Sequence, residues 1–545
     1  MLNKILFFLV FLPVSLVSQT SPTKANIEAA ETLLDVTFSD SERDSMLSEV
    51  ADNLMSIKAI HSQHLDNWVA PALLFDPIPS NFVQRNVSKK HCVWQMPKSL
   101  DMPANRADLA FYTIPQLAYL IKNKKITSVA LTQFFIERLK KHSETLQCAI
   151  TITEDIALKQ AQRADNELKK GRYRGILHGI PYGIKDLLSV KGTKTTWGAT
   201  PYKDQVIDQT ATVVEKLEAA GGVMVVKLTL GALAMGDVWF GGKTKNPWNL
   251  QRGSSGSSAG SASAVVAGLV PFAIGSETLG SIVSPSTECG ATGLRPTFGR
   301  VSRYGAMTLC WSLDKLGPIT RSAEDAAIVL DAIRGEDGRD KTVKNKPFSY
   351  GKVDISKLKI GYPKQLFDTM NQERNEWKTL KVLEKLGAKL TPMDFKITMS
   401  PRIIDVILMG ECAAAFDELT RTNLDDQLTM QTKNAWPNTF RAARLIPAVD
   451  YVNANRIRSK MIEEVHAMLN EFDVVVTTNF GLNQLQITNL TGQPVVVVPN
   501  GFHNGRPTTI SFLGNYFDEA TILAVAKAYQ DATDFDEQHP PKFKD

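Results

Sequence analysis

Residues 253–263 read GSSGSSAGSAS, a stretch drawn only from glycine, serine and alanine. By composition it matches a flexible linker. The residues after it argue otherwise: Ala264 to Ile274 is small and apolar, so the tract runs without a break into core sequence. The reading that fits is a backbone folded tightly and approaching something closely, with serine hydroxyls presented there. A second serine-bearing turn comes next, Gly275-Ser276-Glu277-Thr278-Leu279-Gly280-Ser281. Ser281 follows a glycine, and the amides before it can converge as an anion-binding nest that stabilises an oxyanion beside a nucleophile.

Working outward, helical and strand patterns alternate from about residue 105. Thr113 and Gln116 can cap a helix running to about Lys124, and a second helix follows Ser128. Ala149 to Thr153 is strand-like, 155–169 helical, Pro181 to Leu188 an apolar segment holding one lysine, Val213 to Leu217 helical and Val223 to Lys227 a strand. Near the C-terminus come Val474-Val475-Val476, then Val495 to Val498, then a helix from about Glu519 to Tyr529. Such alternation predicts an α/β domain with a largely buried sheet, placed at 105–540.

The flanks differ. Residues 1–18 carry Lys4, an apolar run from Ile5 to Val17 and the small Ser18, the three-part pattern of a cleaved export signal. The run is 13 residues, too short for the roughly 20 that span a bilayer. The expectation is therefore an exported protein, periplasmic or secreted, without a stable membrane span after cleavage. Residues 19–104 predict a helical appendage and an extended connection. Ser39 and Glu42 form a capping box ahead of Met46, Leu47, Val50, Leu54, Ile57 and Ile60 at helical spacing.

Composition bounds the function. The chain has 545 residues, 43% hydrophobic and 22% charged, with a net charge of +5. These values exclude wholesale disorder and a polytopic membrane protein, and the weak positive bias names no nucleic-acid partner. Five scattered cysteines form no CxxC pair, so neither a zinc site nor a disulfide framework is predicted.

A nucleophilic serine needs a base. None of the eight histidines sits in an obvious loop with a matching aspartate. Lys185, in Ile180-Pro181-Tyr182-Gly183-Ile184-Lys185-Asp186-Leu187-Leu188, is the other candidate. Desolvation lowers a lysine pKa, and only neutral lysine accepts a proton. Moving it from about 10.4 to about 7 costs roughly 4–5 kcal/mol, which a fold carries only for a reason. On pattern alone, a lysine snorkelling at a sheet edge is the better reading.

Here the residues match a family. Ser257 and Ser281 stand 24 positions apart, the separation between the Gly/Ser-rich stretch and the nucleophile in the amidase signature family. Cys289-Gly290-Ala291-Thr292-Gly293-Leu294-Arg295-Pro296-Thr297 resembles that family's CG-x-x-GLKPT, and Leu177-His178-Gly179-Ile180-Pro181 with Lys185-Asp186 resembles its LHGIP...KD. Ser312 to Arg321, Asn489 to Pro494 and Phe517 to Thr521 are similar as well, so the resemblance runs in order over about 110–535.

The resemblance implies an α/β amidase signature fold, a large mixed twisted sheet covered by helices on both faces. It implies a Ser-cisSer-Lys triad in which Ser281 is the nucleophile, Ser257 (after a cis peptide at Gly256) the bridge and Lys185 the base. Backbone N–H groups of Thr278, Leu279, Gly280 and Ser281 would form the oxyanion hole, with Ser258 in support. It further implies an amidohydrolase working through an acyl-enzyme, with no metal or organic cofactor. The substrate would be a small-molecule or peptide amide, and a homodimer stays open.

The chain departs from the family at three places. Glu277 replaces an aspartate and adds a methylene. Leu279 replaces a glycine and brings a Cβ, which is awkward if that residue needs φ > 0. Val283 stands where the family often has arginine, so no positive charge adjoins the nucleophile, which predicts a modestly apolar pocket. Four rival readings remain. Gly256-Ser257-Ser258-Ala259-Gly260 matches the G-x-S-x-G elbow of α/β-hydrolases but lacks the preceding apolar strand. Ser356-Lys357-Leu358-Lys359 matches S-x-x-K without a KTG-like partner. The chain could be the glutamine-hydrolysing A subunit of a tRNA-dependent amidotransferase, or a non-catalytic binding protein on the same scaffold.

Overall fold

The computed structural model describes residues 21–62, 65–85 and 91–545. The expected export signal at 1–18 lies outside the described residues. The chain divides into two compact units, one ending at Asp66 and the other running from Asn67 to Asp545. Residues 67–104, grouped with the appendage by sequence, therefore fall in the larger unit.

The first unit holds helices Lys24–Leu34 and Asp40–His61. Both begin with capping boxes, Thr23 with Asn26 and Ser39 with Glu42, each satisfying amides that a helix start leaves open. The apolar positions of the second helix do not make a core. None of its residues is buried, and Ile57 and Ile60 are exposed.

The second unit is built on a mixed sheet of 11 strands among the described residues. Their spatial order is Ala149–Ile152, Val223–Leu228, Pro181–Lys185, Ala273–Glu277, Lys315–Thr320, Thr292–Arg295, Val495–His503, Arg506–Gly514, Val474–Thr477, Lys359–Pro363 and Lys389–Met393. Val495 to Val498 and Val474 to Val476 are buried, as β-branched runs are when helices cover both faces of a sheet. The first of the flanking helices starts where the sequence places it, and the second starts one residue earlier, at Ser128 itself. Ile114–Lys122 is capped by Thr113, Ser128–Leu146 by Thr127, and Glu519–Asp531 follows the last strand.

Two register relations position the site. Pro181–Lys185 runs parallel to Ala273–Glu277, pairing Gly183 with Ala273 and Ile184 with Ile274. Their C-terminal ends therefore emerge side by side, the edge at which open α/β sheets place their sites. The Gly/Ser tract folds back beside them and enters helix Ala259–Val266, whose residues are all buried. All five cysteines are free thiols, and none of the described helices is long and apolar enough to cross a membrane.

Candidate active site

Lys185 ends its strand fully buried. Its Nζ donates to Ser257 Oγ at 2.7 Å, Ser276 Oγ at 2.9 Å and Ser258 Oγ at 3.2 Å. Burial pushes its pKa down to about 7, against the pull of Asp314 and Glu277. The carboxylate next to it in sequence, Asp186, is taken by Lys227 at 2.8 Å. The lysine thus faces hydroxyls, and about half of it is neutral near pH 7.

The peptide between Gly256 and Ser257 is cis. Only glycine fits at position 256, because a Cβ there would sit 1.9 Å from the Gly236 carbonyl oxygen. Ser258 is pinned beneath the site, donating to the Ser276 carbonyl at 3.0 Å and accepting from the Ser276 N–H at 3.1 Å. A hydroxyl locked in this way is a structural strut, which removes the elbow reading at Ser258. Ser356 of the S-x-x-K match is far simpler: its hydroxyl is exposed and bonds to Asp354.

The turn carrying Ser281 lies between strand Ala273–Glu277 and helix Val283–Cys289. Its left-handed residue is Gly280, with φ 84°, while Leu279 keeps an ordinary negative φ. The Cβ brought by Leu279 is therefore accommodated, because the demand for positive φ falls one residue later. Among the described residues, the N–H groups of Thr278, Leu279, Gly280 and Ser281 donate to no protein acceptor. Four neighbouring amides left open are what an anion-accepting turn requires. Ser281 is buried, and its carbonyl accepts from the Ser258 N–H at 3.1 Å. A direct hydroxyl bond from Ser257 to Ser281 is not among those made by the described residues.

Glu277 explains its extra methylene. Its Oε2 accepts from the N–H groups of Ile282 and Val283, each at 2.9 Å, fastening the start of the helix behind Ser281. Its Oε1 accepts from Arg295 and Asn489, each at 2.9 Å. Burial works to raise its pKa, but Arg295 and Lys315 outweigh that and bring it to about 2. Asp314 clasps the other end of the turn. It accepts from Thr278 Oγ1 at 2.6 Å and from the amides of Leu309 and Cys310. Sequence reasoning does not single out Ser276, Asp314, Arg295 or Asn489 as site residues. Ser276 and Arg295 are polar residues inside buried strands, the one signal that could flag them, while Asp314 sits in a loop and Asn489 in helix Gln484–Thr491.

A cavity of about 1490 Å³ opens onto this turn, with Ser276 and Thr278 in its lining. Its other walls are residues 68–76, the 303–314 segment and helices Ile403–Ala415 and Ala448–Leu469.

The amidase family model matches residues 130–488. The chain belongs to the amidase family. The A subunit of glutamyl-tRNA(Gln) amidotransferase from Coxiella burnetii is 34% identical over 477 residues, covering 78% of this amidase and 99% of that protein. Native peptide amidase from Stenotrophomonas maltophilia is 26% identical with a TM-score of 0.67, covering 78% of this amidase and 97% of that chain. The corresponding A subunit from Thermotoga maritima is 28% identical with a TM-score of 0.65, covering 78% of this amidase and 95% of that chain. This amidase is accordingly an amide-hydrolysing enzyme with the α/β amidase signature fold. The Coxiella burnetii relative leaves roughly a fifth of the chain unmatched.

Proposed function

We propose that this amidase cleaves a carboxamide through an acyl-enzyme on Ser281. The observation that carries the reading is Lys185: buried, hydrogen-bonded to Ser257 and without a carboxylate partner. Neutral Lys185 takes a proton from Ser257 as Ser257 takes one from Ser281. Ser281 Oγ attacks the amide carbonyl, and the oxyanion is held by the N–H groups of Thr278, Leu279, Gly280 and Ser281. The C–N bond breaks as the relay returns the proton to nitrogen. Water then attacks the ester by the same relay and frees Ser281. Ser258 and Gly256 position Ser257 and do no chemistry.

Two substrate readings have support. Glutamine, with its ammonia passed on in an amidotransferase, is favoured by the amidotransferase relatives, which this chain matches over nearly their whole length. It is the reading the comparisons back more closely. An amide lacking a carboxylate near the scissile bond is favoured by Val283, which leaves the nucleophile without an adjoining cation. Export belongs with the second reading, and a mature N-terminus beginning after Ser18 is its test.

The hydrolase reading is tested by labelling the protein with a small fluorophosphonate and mapping the adduct by peptide mass spectrometry. An adduct on Ser281 that vanishes in Lys185→Ala is expected. An adduct on Ser258, or labelling indifferent to Lys185, would overturn the relay.

A further inference from the structure

The cavity before the nucleophile turn has one wall that lies outside the part of the chain matched by the family model. Residues 67–76 run across it as a strap fixed at both ends. At one end, Asn67 Nδ2 donates to the carbonyls of Thr308 at 2.9 Å and Ala415 at 3.2 Å, while Asn67 Oδ1 accepts from the Thr308 N–H. At the other, the Phe75 ring lies 3.4 Å beneath the Arg458 guanidinium and 4.9 Å from the Phe298 ring. Phe75 and the buried Arg458 thus lock the strap to helix Ala448–Leu469.

Between these anchors the strap presents apolar side chains to the cavity. Trp68, Leu73 and Leu74 all line it, yet they are 39%, 83% and 49% exposed. Large apolar groups held out to water on a fixed backbone lose the hydration benefit of burial until something covers them. Several charged groups of the same cavity are already paired. Arg303 meets Asp340 at 3.0 Å, Arg444 meets Asp417, and Glu411 accepts from Ser312 and Tyr451.

We propose that Trp68, Leu73 and Leu74 form a substrate subsite for a bulky apolar group, an aromatic or branched aliphatic side chain on the carboxamide being cleaved. The inference rests on amide hydrolysis at Ser281 and extends it. The occupant is substrate because the strap and Thr278 line one continuous cavity. The strap serves specificity, and none of its side chains touches the reacting atoms.

The test compares N-acetylphenylalaninamide with N-acetylglycinamide on the full chain, two amides that differ only by a benzyl group. A single methylene in an apolar pocket is worth about 10-fold, so kcat/KM is expected to favour the phenylalanine amide by about 10-fold or more. Leu73→Ser with Leu74→Ser is expected to collapse that ratio, and Leu73→Met with Leu74→Met to keep it, which separates lost apolar contact from lost fold. Turnover of both amides at a ratio near one, or a ratio untouched by the serine pair, overturns the subsite alone. No turnover of either amide or of glutamine, with Ser281 unlabelled, overturns the hydrolase reading and the subsite together.

Discussion

Lys227 Nζ lies 2.8 Å from Asp186 Oδ1, with both side chains fully buried. The pairing decides the chemistry of a third residue. Asp186 adjoins Lys185 in the chain, but the strand ends at Lys185 and Asp186 opens the turn that follows. Asp186 neutralises Lys227, and Thr196 occupies its other oxygen. Lys185 meets three serine hydroxyls and no carboxylate within hydrogen-bond distance. Its ammonium form is disfavoured because burial removes water and the pull of Asp314 and Glu277 does not offset that loss.

The first prediction is a pH dependence. In the proposed relay the working form of Lys185 is neutral, and burial brings its pKa to about 7. Below that value the lysine is protonated and cannot accept the Ser257 proton. The acid limb of kcat/KM is expected to rise through about pH 7 and level off above it. A limb near pH 4, set by a carboxylate, would remove Lys185 as the base.

Glu277 and Arg295 are both fully buried and 2.9 Å apart. Removing one partner of a buried pair strands the other. Arg295→Met is expected to cost about 3–5 kcal/mol, read as a fall in the urea midpoint. Glu277 has a depressed pKa, so its contribution is present above its ordinary value of 4.5 and is lost as pH falls toward about 2. In the variant, that acid-side loss of stability is expected to flatten.

Gly256→Ala tests the close backbone approach. The new Cβ would meet the Gly236 oxygen at 1.9 Å, and backbone cannot swing aside as a side chain can. Ser257 is then displaced from Lys185. A misplacement of about 1 Å costs on the order of 10²-fold, expected in kcat and in the rate of fluorophosphonate labelling at Ser281.

In the proposed reaction Asp314 acts as a positioning residue, through Thr278 rather than on substrate. Asp314→Ala releases the Thr278 hydroxyl and two amides of the 309–310 turn. The oxyanion donors loosen while the rest of the cavity stays. The expected signature is a fall in kcat of about 10-fold or more with KM little changed. Asp314→Asn, which still accepts from Thr278, should recover most of the loss. An equal loss in both variants would argue against this role.

The serine turns at Ser257 and Ser281 are legible in the sequence because they use residue types that a fold rarely places together for packing alone, whereas Lys185 is picked out only by the resemblance to the amidase signature family. The helices are legible for a similar reason: Thr113 with Gln116, and Ser39 with Glu42, act within one turn of chain. The helix Asp40–His61 shows the limit. Its apolar spacing is real, yet no residue on it is buried, because periodicity reports a face and not what covers it.

Read alone, the chain specifies the local chemistry of this protein: two serine turns 24 positions apart, a lysine in an apolar strand, and an alternation that demands a buried sheet. Folding settles which carboxylate each lysine meets, that Gly280 and not Leu279 takes the positive φ, and that Glu277 braces the helix behind Ser281. It also lets Asn67 and Phe75 draw residues 67–76 across the cavity, more than 200 positions from the loops they touch. The division has a physical cause. Capping and strand propensity act between neighbours in the chain, whereas burial, charge pairing and cavity shape depend on which distant segments the sheet order brings together.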